Sequence, residues 1–409
     1  MDPTTIILLL AGLTGFYMAW NIGANDLANS MGTSVGSGAL TIRRAVLVAS
    51  VLTIVGAILV GGHVTETVCR GIVDIERFSG NPHVMMIGAL SALIAAGLWV
   101  TVSTYYGLPI STTHSIVGAM IGFGLITAGY SSVNMSKVIT IVSSWVLSPI
   151  SGAVVAFLVF MVVRKFVLNS KNPAESAARF VPFFVFLVFG IISVAVFTDI
   201  VNLGINPHLM AFVVGTVAAL TSYILLKKYL SHKKQKNSAS YESVEHIFNY
   251  VQILTACYMA FAHGANDVAN AIGPVATIFS VVKTGVISTK TEVPLGLLTF
   301  GGLGIAIGMM TWGYRVMATI GRKITDITPT RGFAAEFGTA TTVLVCSRLG
   351  LPISTSHTIV GAIVGVGAAG GMEALDLGVV RRIITSWLLT LPVSAMLTVF
   401  IYLTLGNIL

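Results

Sequence analysis

The chain has 409 residues, 55% of them hydrophobic and only 9% charged, with a formal net charge of +8. That is too little charge to cover the surface of a soluble domain of this size, so the composition excludes an ordinary soluble enzyme and makes a membrane protein the default. Three widely separated cysteines, Cys69, Cys257 and Cys346, exclude a disulfide framework and a spaced metal site.

Apolar stretches long enough to cross a hydrocarbon core of ~30 Å recur along the whole chain. The predicted crossings are 6–28, 45–62, 84–101, 107–128, 138–162, 181–198, 207–226, 249–272, 295–314, 331–347, 350–371 and 383–405. The expectation is an all-α polytopic membrane protein with about 12 transmembrane segments. A β-barrel is excluded because the runs are too long and do not alternate polar with apolar. The opening "MDPTTIILLLAGLTG" has no basic residue ahead of its apolar run and continues into a Gly-rich polar motif, so it reads as a first crossing and not as a cleaved signal. Gly, Pro, Ser and Thr crowd the first halves of 107–128 and 350–371, and each reads either as a crossing or as a re-entrant hairpin followed by a helix.

On the twelve-crossing map, 17 of the 23 Lys and Arg residues fall on one side. They are Arg43 and Arg44, the basic residues from Arg164 to Arg179, the run "KKYLSHKKQK" from Lys227, Arg315, Arg322, Lys323 and Arg331, and the pair Arg381 and Arg382. Arg70, Arg77, Lys137, Lys283 and Lys290 fall on the other side, with Arg348 near a membrane edge. This bias makes the first side cytoplasmic and both termini extracytoplasmic, and it places the basic linker 227–247 in the cytoplasm. The positive charge is therefore topological, and no nucleic-acid partner is expected. Within the linker, "YESVEHIFNY" reads as part of a charged tether or as a short amphipathic helix on the membrane.

Two stretches occur twice. "YMAWNIGANDLANSMG" from Tyr17 returns as "YMAFAHGANDVANAIG" from Tyr258, and "GLPISTTHSIVGAMIG" from Gly107 returns as "GLPISTSHTIVGAIVG" from Gly350. The offsets, 241 and 243 residues, keep both order and spacing, so the chain contains an internal duplication. Seven crossings precede the second copy, and an odd number turns it upside down. Inverted repeats of this kind place a binding site at mid-membrane, between discontinuous helices, and allow alternating access. The predicted organisation is 1–163 as first repeat, 164–247 as connecting helices and cytoplasmic basic linker, and 248–409 as second, inverted repeat.

The repeated polar residues carry the chemistry. Asn25, Asp26 and Asn29 match Asn266, Asp267 and Asn270. Ionisable residues inside a span are costly unless paired or facing a polar cavity, which makes the two acids site candidates. Oxygen-rich side chains of this kind suit a hard cation such as sodium. The competing reading is a helix–helix hydrogen-bond network worth ~0.6–2 kcal/mol per contact. In "GLPISTTH", Pro109 holds Leu108 extended and Ser111 or Thr112 can cap the next helix, whose first N–H groups could then hold an anion. Gly350, Pro352, Ser354, Thr355 and Ser356 repeat the arrangement. "GTSVGSG" after Met31 and the pair Gly273 and Pro274 are expected to interrupt the first helix of each repeat, whereas Gly118, Gly122, Gly124, Gly361, Gly365 and Gly367 read as close helix packing.

His114 and His357 read as bridges between a backbone carbonyl and a hydroxyl, or else as groups that orient the hydroxyls or sense protons. Glu336, at mid-span without a counterpart in the first half, is expected to pair with Arg348 or a hydroxyl. A dianion beside two carboxylates needs cations travelling with it, so coupling to at least two sodium ions is expected.

"GANDLAN", "GANDVAN", "GLPISTTH" and "GLPISTSH" resemble the signature of the PiT inorganic phosphate transporter family, and through the duplication the resemblance covers the chain nearly end to end. It implies sodium- or proton-coupled phosphate uptake, inverted repeats and a homodimer. Residue by residue, it implies that Asn25, Asp26, Asn266 and Asp267 belong to the cation and phosphate centre, and that Ser111, Thr112, Thr113, Ser354, Thr355 and Ser356 form phosphate-binding hairpin starts. The expected function is a plasma-membrane symporter without cofactor, carrying sodium and inorganic phosphate. The alternatives are a proton-coupled carrier of phosphate or another tetrahedral oxyanion, an anion channel, and, against the near-symmetric motifs, a membrane enzyme.

Overall fold

A computed structural model describes residues 3–70, 72–78, 81–198, 206–233, 241–284, 293–323, 327–370 and 376–407. Lys290 and the stretch 234–240 of the basic linker lie outside the described residues, as do the side chains of Cys69, Arg70, Lys233, Arg322 and Lys323.

The described residues form helices α1 (Pro3–Gly36), α2 (Ile42–Val60), α3 (Gly62–Arg70), α4 (Pro82–Tyr105), α5 (Thr112–Ala128), α6 (Met135–Val163) and α7 (Pro173–Phe197). After these come α8 (Pro207–Lys233), α9 (Tyr241–Thr284), α10 (Leu295–Trp312), α11 (Tyr314–Ala318), α12 (Pro329–Arg348), α13 (Thr355–Gly370) and α14 (Leu377–Leu405). Proline opens α4, α7, α8 and α12, where its missing N–H costs no helical bond. Nine described helices are long and apolar enough to cross a membrane. Their outer faces carry exposed Phe212, Leu225, Leu388 and Phe400, as lipid contact requires.

Each of the twelve predicted crossings falls on a helix, with α3 and α11 additional to them. Three of the twelve, α5, α12 and α13, are not among the nine. With 17 and 16 residues, α5 and α13 are about 25 Å long, short of the ~30 Å core. α12 buries Glu336, Thr330, Thr339 and Thr342 among other helices, where an apolar surface is not needed.

Helix packing is reciprocal between the two parts of the chain. α1 packs on α10 as α9 packs on α2; α5 packs on α14 as α13 packs on α6; α11 rests on α1 as α3 rests on α9. Glycines set the closest approaches. A β-carbon on Gly23 would run into the carbonyl oxygen of Ile305, and one on Gly264 into that of Thr53. These are the glycines of the two "GAND" motifs. Gly118 and Gly122 meet the backbone of α14, and Gly361 and Gly365 that of α6, which agrees with the packing role expected of them.

Two expectations are corrected. α1 runs unbroken to Gly36, through "GTSVG", and α9 runs unbroken through Gly273 and Pro274. Gly36 serves close packing instead: a β-carbon there would strike the backbone of Gly321, in the turn after α11. "YESVEHIFNY" is neither a tether nor a separate surface helix but the first part of α9. Its Glu245 accepts from the Thr330 amide at 2.9 Å and hydroxyl at 2.8 Å, which places a carboxylate at the N-terminus of α12, where the helix dipole favours it.

Candidate functional site

The two "GLP" segments are helix ends of one type. Gly107 and Gly350 adopt φ of 65° and 66°, conformations that glycine enters without steric cost. Around the first, Gly107 N donates to Thr104 O at 3.0 Å and Leu108 N to Ser103 O at 2.9 Å. Around the second, Gly350 N donates to Ser347 O at 3.0 Å and Leu351 N to Cys346 O at 2.9 Å. This paired closure ends α4 and α12. Proline then forbids continuation, and the chain stays extended until Ser111 and Ser354, whose hydroxyls accept from the backbone N–H of His114 at 3.1 Å and His357 at 3.2 Å and so start α5 and α13.

The "GAND" helices hold these extended segments. The Asn25 amide donates to Leu108 O at 3.0 Å and Thr104 Oγ1 at 2.9 Å, while its oxygen accepts from Ile110 N at 3.2 Å. The Asn266 amide donates to Ile353 O at 2.8 Å, and its oxygen faces Ile353 N at 3.4 Å and the Ser347 hydroxyl at 3.5 Å. Both asparagines thus act as substitutes for a β-strand neighbour.

One turn further on, the contacts cross between the two parts. Asn29 donates to Ser356 at 2.8 Å and to Asp26 at 2.8 Å; Asn270 donates to Thr113 at 3.1 Å and to Asp267 at 3.2 Å. Thr113 donates to Ile353 O at 3.0 Å, and Ser356 to Ile110 O at 2.9 Å. The Asp26 carboxylate also accepts from Thr112 at 2.9 Å. Thr355 and Thr113 stand beside the Asp267 carboxylate. All twelve candidate residues are buried. Among the described residues neither acid has a lysine or arginine partner.

Oxygen atoms are left over in this site. Asn29 Oδ1, Asn270 Oδ1 and Asp267 Oδ2 are buried without a hydrogen-bond donor. A buried acceptor without a donor is uncommon and asks for a ligand. These are the oxygen types that hold a hard monovalent cation, so the residues present fit one.

Behind the two hairpin starts, four rings pack together, with His357 stacked on Trp387, His114 tilted against Trp145 and the two histidines edge to face. His114 lies 3.7 Å from Trp145, His357 3.6 Å from Trp387, and the two histidines 4.4 Å from each other, centroid to centroid. Trp145 and Trp387 donate to Pro352 O at 3.4 Å and Pro109 O at 3.3 Å. Neither ring nitrogen of His114 completes a hydrogen bond, and nor does Nε2 of His357. For His114 the expected bridge from carbonyl to hydroxyl is therefore not formed; aromatic packing takes its place.

Glu336 pairs with hydroxyls and not with Arg348. It accepts from Thr33 at 2.5 Å, Ser34 at 2.6 Å and Thr255 at 2.7 Å, which joins α12 to α1 and α9. Arg348 instead reaches His63 at 2.9 Å.

Sequence reasoning passed over three residues here. Thr104 and Ser347 each stand three positions before the hairpin glycine, and aligning the two copies would have found them. His263 is the third. It lies fully buried with its Nε2 3.3 Å from Asp267 Oδ2, and the same alignment sets it against Ile22.

Residues 22–398 match the phosphate transporter family. The chain is 47% identical over 402 residues to a candidate phosphate permease of Pyrococcus furiosus, covering 98% of this chain and 96% of that one. It is 47% identical to the chloroplastic inorganic phosphate transporter 2-1 of Arabidopsis thaliana, covering 95% of this chain and 70% of that one. Among solved structures, a sodium-dependent phosphate transporter superposes with a TM-score of 0.92 at 44% identity, covering 99% of this chain and all of the other.

Proposed function

The chain belongs to the phosphate transporter family, and from that premise we propose that it carries inorganic phosphate across the membrane together with sodium ions by alternating access. The observation that carries this reading is the pair of orphan carboxamide oxygens, Asn29 Oδ1 and Asn270 Oδ1, each beside a buried carboxylate that has no lysine or arginine partner among the described residues. Two such centres call for two monovalent cations. The solved transporter of similar structure is sodium-dependent, which supports sodium as the cation.

Phosphate is assigned to the starts of α5 and α13. The first N–H groups of a helix have no intrahelical acceptor, and the dipole there favours an anion. Ser111 and Ser354 cap the two starts, while Thr112, Thr113, Thr355 and Ser356 bring hydroxyls to the same centre. The reciprocal packing supports two repeats, 1–163 and 248–409, joined by 164–247, while the odd number of crossings before the second copy and the Lys and Arg bias support their inversion and both termini extracytoplasmic in the plasma membrane. The homodimer implied by the family resemblance belongs to the same reading and is checked by light scattering on the purified protein.

The deciding experiment is phosphate uptake into proteoliposomes with sodium and proton gradients imposed separately, on the intact protein and on Asp26→Asn and Asp267→Asn. Uphill uptake driven by sodium alone, lost in both variants, is expected. Uptake driven equally by a proton gradient in sodium-free buffer would replace sodium by protons, and flux that never runs uphill would make the protein a channel.

A further inference from the structure

We propose that Asp26, His263 and Asp267 form a binding site for a transition-metal ion of the zinc or cobalt type, bridging α1 and α9. One ligand atom from each of the three lies within 4.8 Å of the other two. The 3.3 Å between His263 Nε2 and Asp267 Oδ2 matches the edge of a tetrahedron with arms of about 2.05 Å, the usual zinc–ligand distance.

His263 makes the case independent of the acids. It is fully buried, neither of its ring nitrogens has a hydrogen-bond partner, and the Asp267 oxygen it faces has none either. A core histidine with only a packing role normally gives its N–H to a carbonyl or, like His114, packs its ring against aromatic neighbours. The corresponding position of the first repeat is Ile22, so nothing in the shared architecture of the two repeats demands an imidazole here.

The donor set selects the metal. One imidazole and two carboxylates suit zinc and cobalt, whereas magnesium and calcium favour cages of oxygen alone. One divalent ion also neutralises both buried carboxylates. It would occupy oxygens that the proposed function gives to sodium, so it should block sodium-driven uptake. That consequence rests on the sodium reading; the metal site itself does not.

The test begins with cobalt(II) titrated into the intact, detergent-purified protein. The expected result is one ion per chain, with the visible absorption of four- or five-coordinate cobalt and an X-ray absorption shell containing one imidazole. His263→Gln should weaken binding at least about tenfold, and excess magnesium should not displace the ion. Binding unchanged in His263→Gln, a shell of oxygens alone, or no binding would overturn the site. If His263→Gln does not fold, the absorption shell of the unaltered protein decides. In proteoliposomes, zinc should inhibit phosphate uptake, and His263→Gln should lose that sensitivity. Cobalt bound with the expected shell, but without effect on uptake, would count against sodium at these oxygens and leave the metal site standing.

Discussion

Asn29, in α1, donates its amide to the Ser356 hydroxyl at the start of α13, 2.8 Å away and 327 residues along the chain. Asn270 makes the reverse contact to Thr113 at 3.1 Å. Each asparagine thus joins the carboxylate of its own repeat to the hairpin of the other, and so links the proposed cation site to the proposed anion site.

That linkage can be measured. Asn29→Ala and Ser356→Ala should show a coupling of ~0.5–3 kcal/mol in a double-mutant cycle on thermal unfolding. Asn29→Ala should also raise the sodium concentration for half-maximal uptake about tenfold, equivalent to ~1.4 kcal/mol. Additive stabilities together with an unchanged sodium dependence would show that the two repeats are not tied through this residue.

The glycines of α1 separate packing from propensity. A β-carbon on Gly12 meets nothing within 4 Å, while one on Gly23 collides with the Ile305 carbonyl. Gly12→Ala should be neutral or stabilising by up to ~1 kcal/mol. Gly23→Ala should destabilise by ~1–3 kcal/mol, since the atom it meets is backbone and cannot rotate away. Thermal shifts in detergent check both; equal effects would mean that α1 and α10 do not approach as closely as described.

Most of the architecture was legible because its signals are local. Runs of apolar residues mark spans, and Gly-Leu-Pro followed by hydroxyls marks one helix ending and another beginning. What failed was ambiguous chemistry. Glycine marks unwinding and close packing equally well, and in "GTSVG" packing won, because α1 needed room for the backbone of Gly321. The cross-repeat contacts had no local signal at all. Thr113 meets Ile353 only because the two hairpins fold against each other, 240 residues apart. His263 stood in the open as a mismatch between two otherwise similar motifs, and the similarity hid it.

Glu336 should behave as a structural anchor with a strong dependence on its acceptor oxygens. Glu336→Leu strands the hydroxyls of Thr33, Ser34 and Thr255 in a buried place. Each stranded group costs ~1–3 kcal/mol, less where it can turn to a backbone carbonyl. Glu336→Gln keeps an acceptor oxygen and should cost less than half as much. If the two variants unfold at the same temperature, the hydroxyl cage contributes nothing.

The packed histidines give the sharpest contrast between polarity and shape. His114 sits between Trp145 and His357 with its ring nitrogens unbonded, so its ring and not its hydrogen-bonding should hold the hairpin starts together. His114→Phe keeps a ring of similar thickness and should retain most of the stability. His114→Gln keeps polarity but removes the stack, and each lost aromatic contact is worth ~0.5–1.5 kcal/mol beyond area. The expected order of thermal stability is intact protein, then Phe, then Gln, with phosphate affinity following the same order because α5 begins two residues earlier, at Thr112. The opposite order for Phe and Gln would show that the imidazole is held by hydrogen bonds during transport and that the stack is incidental.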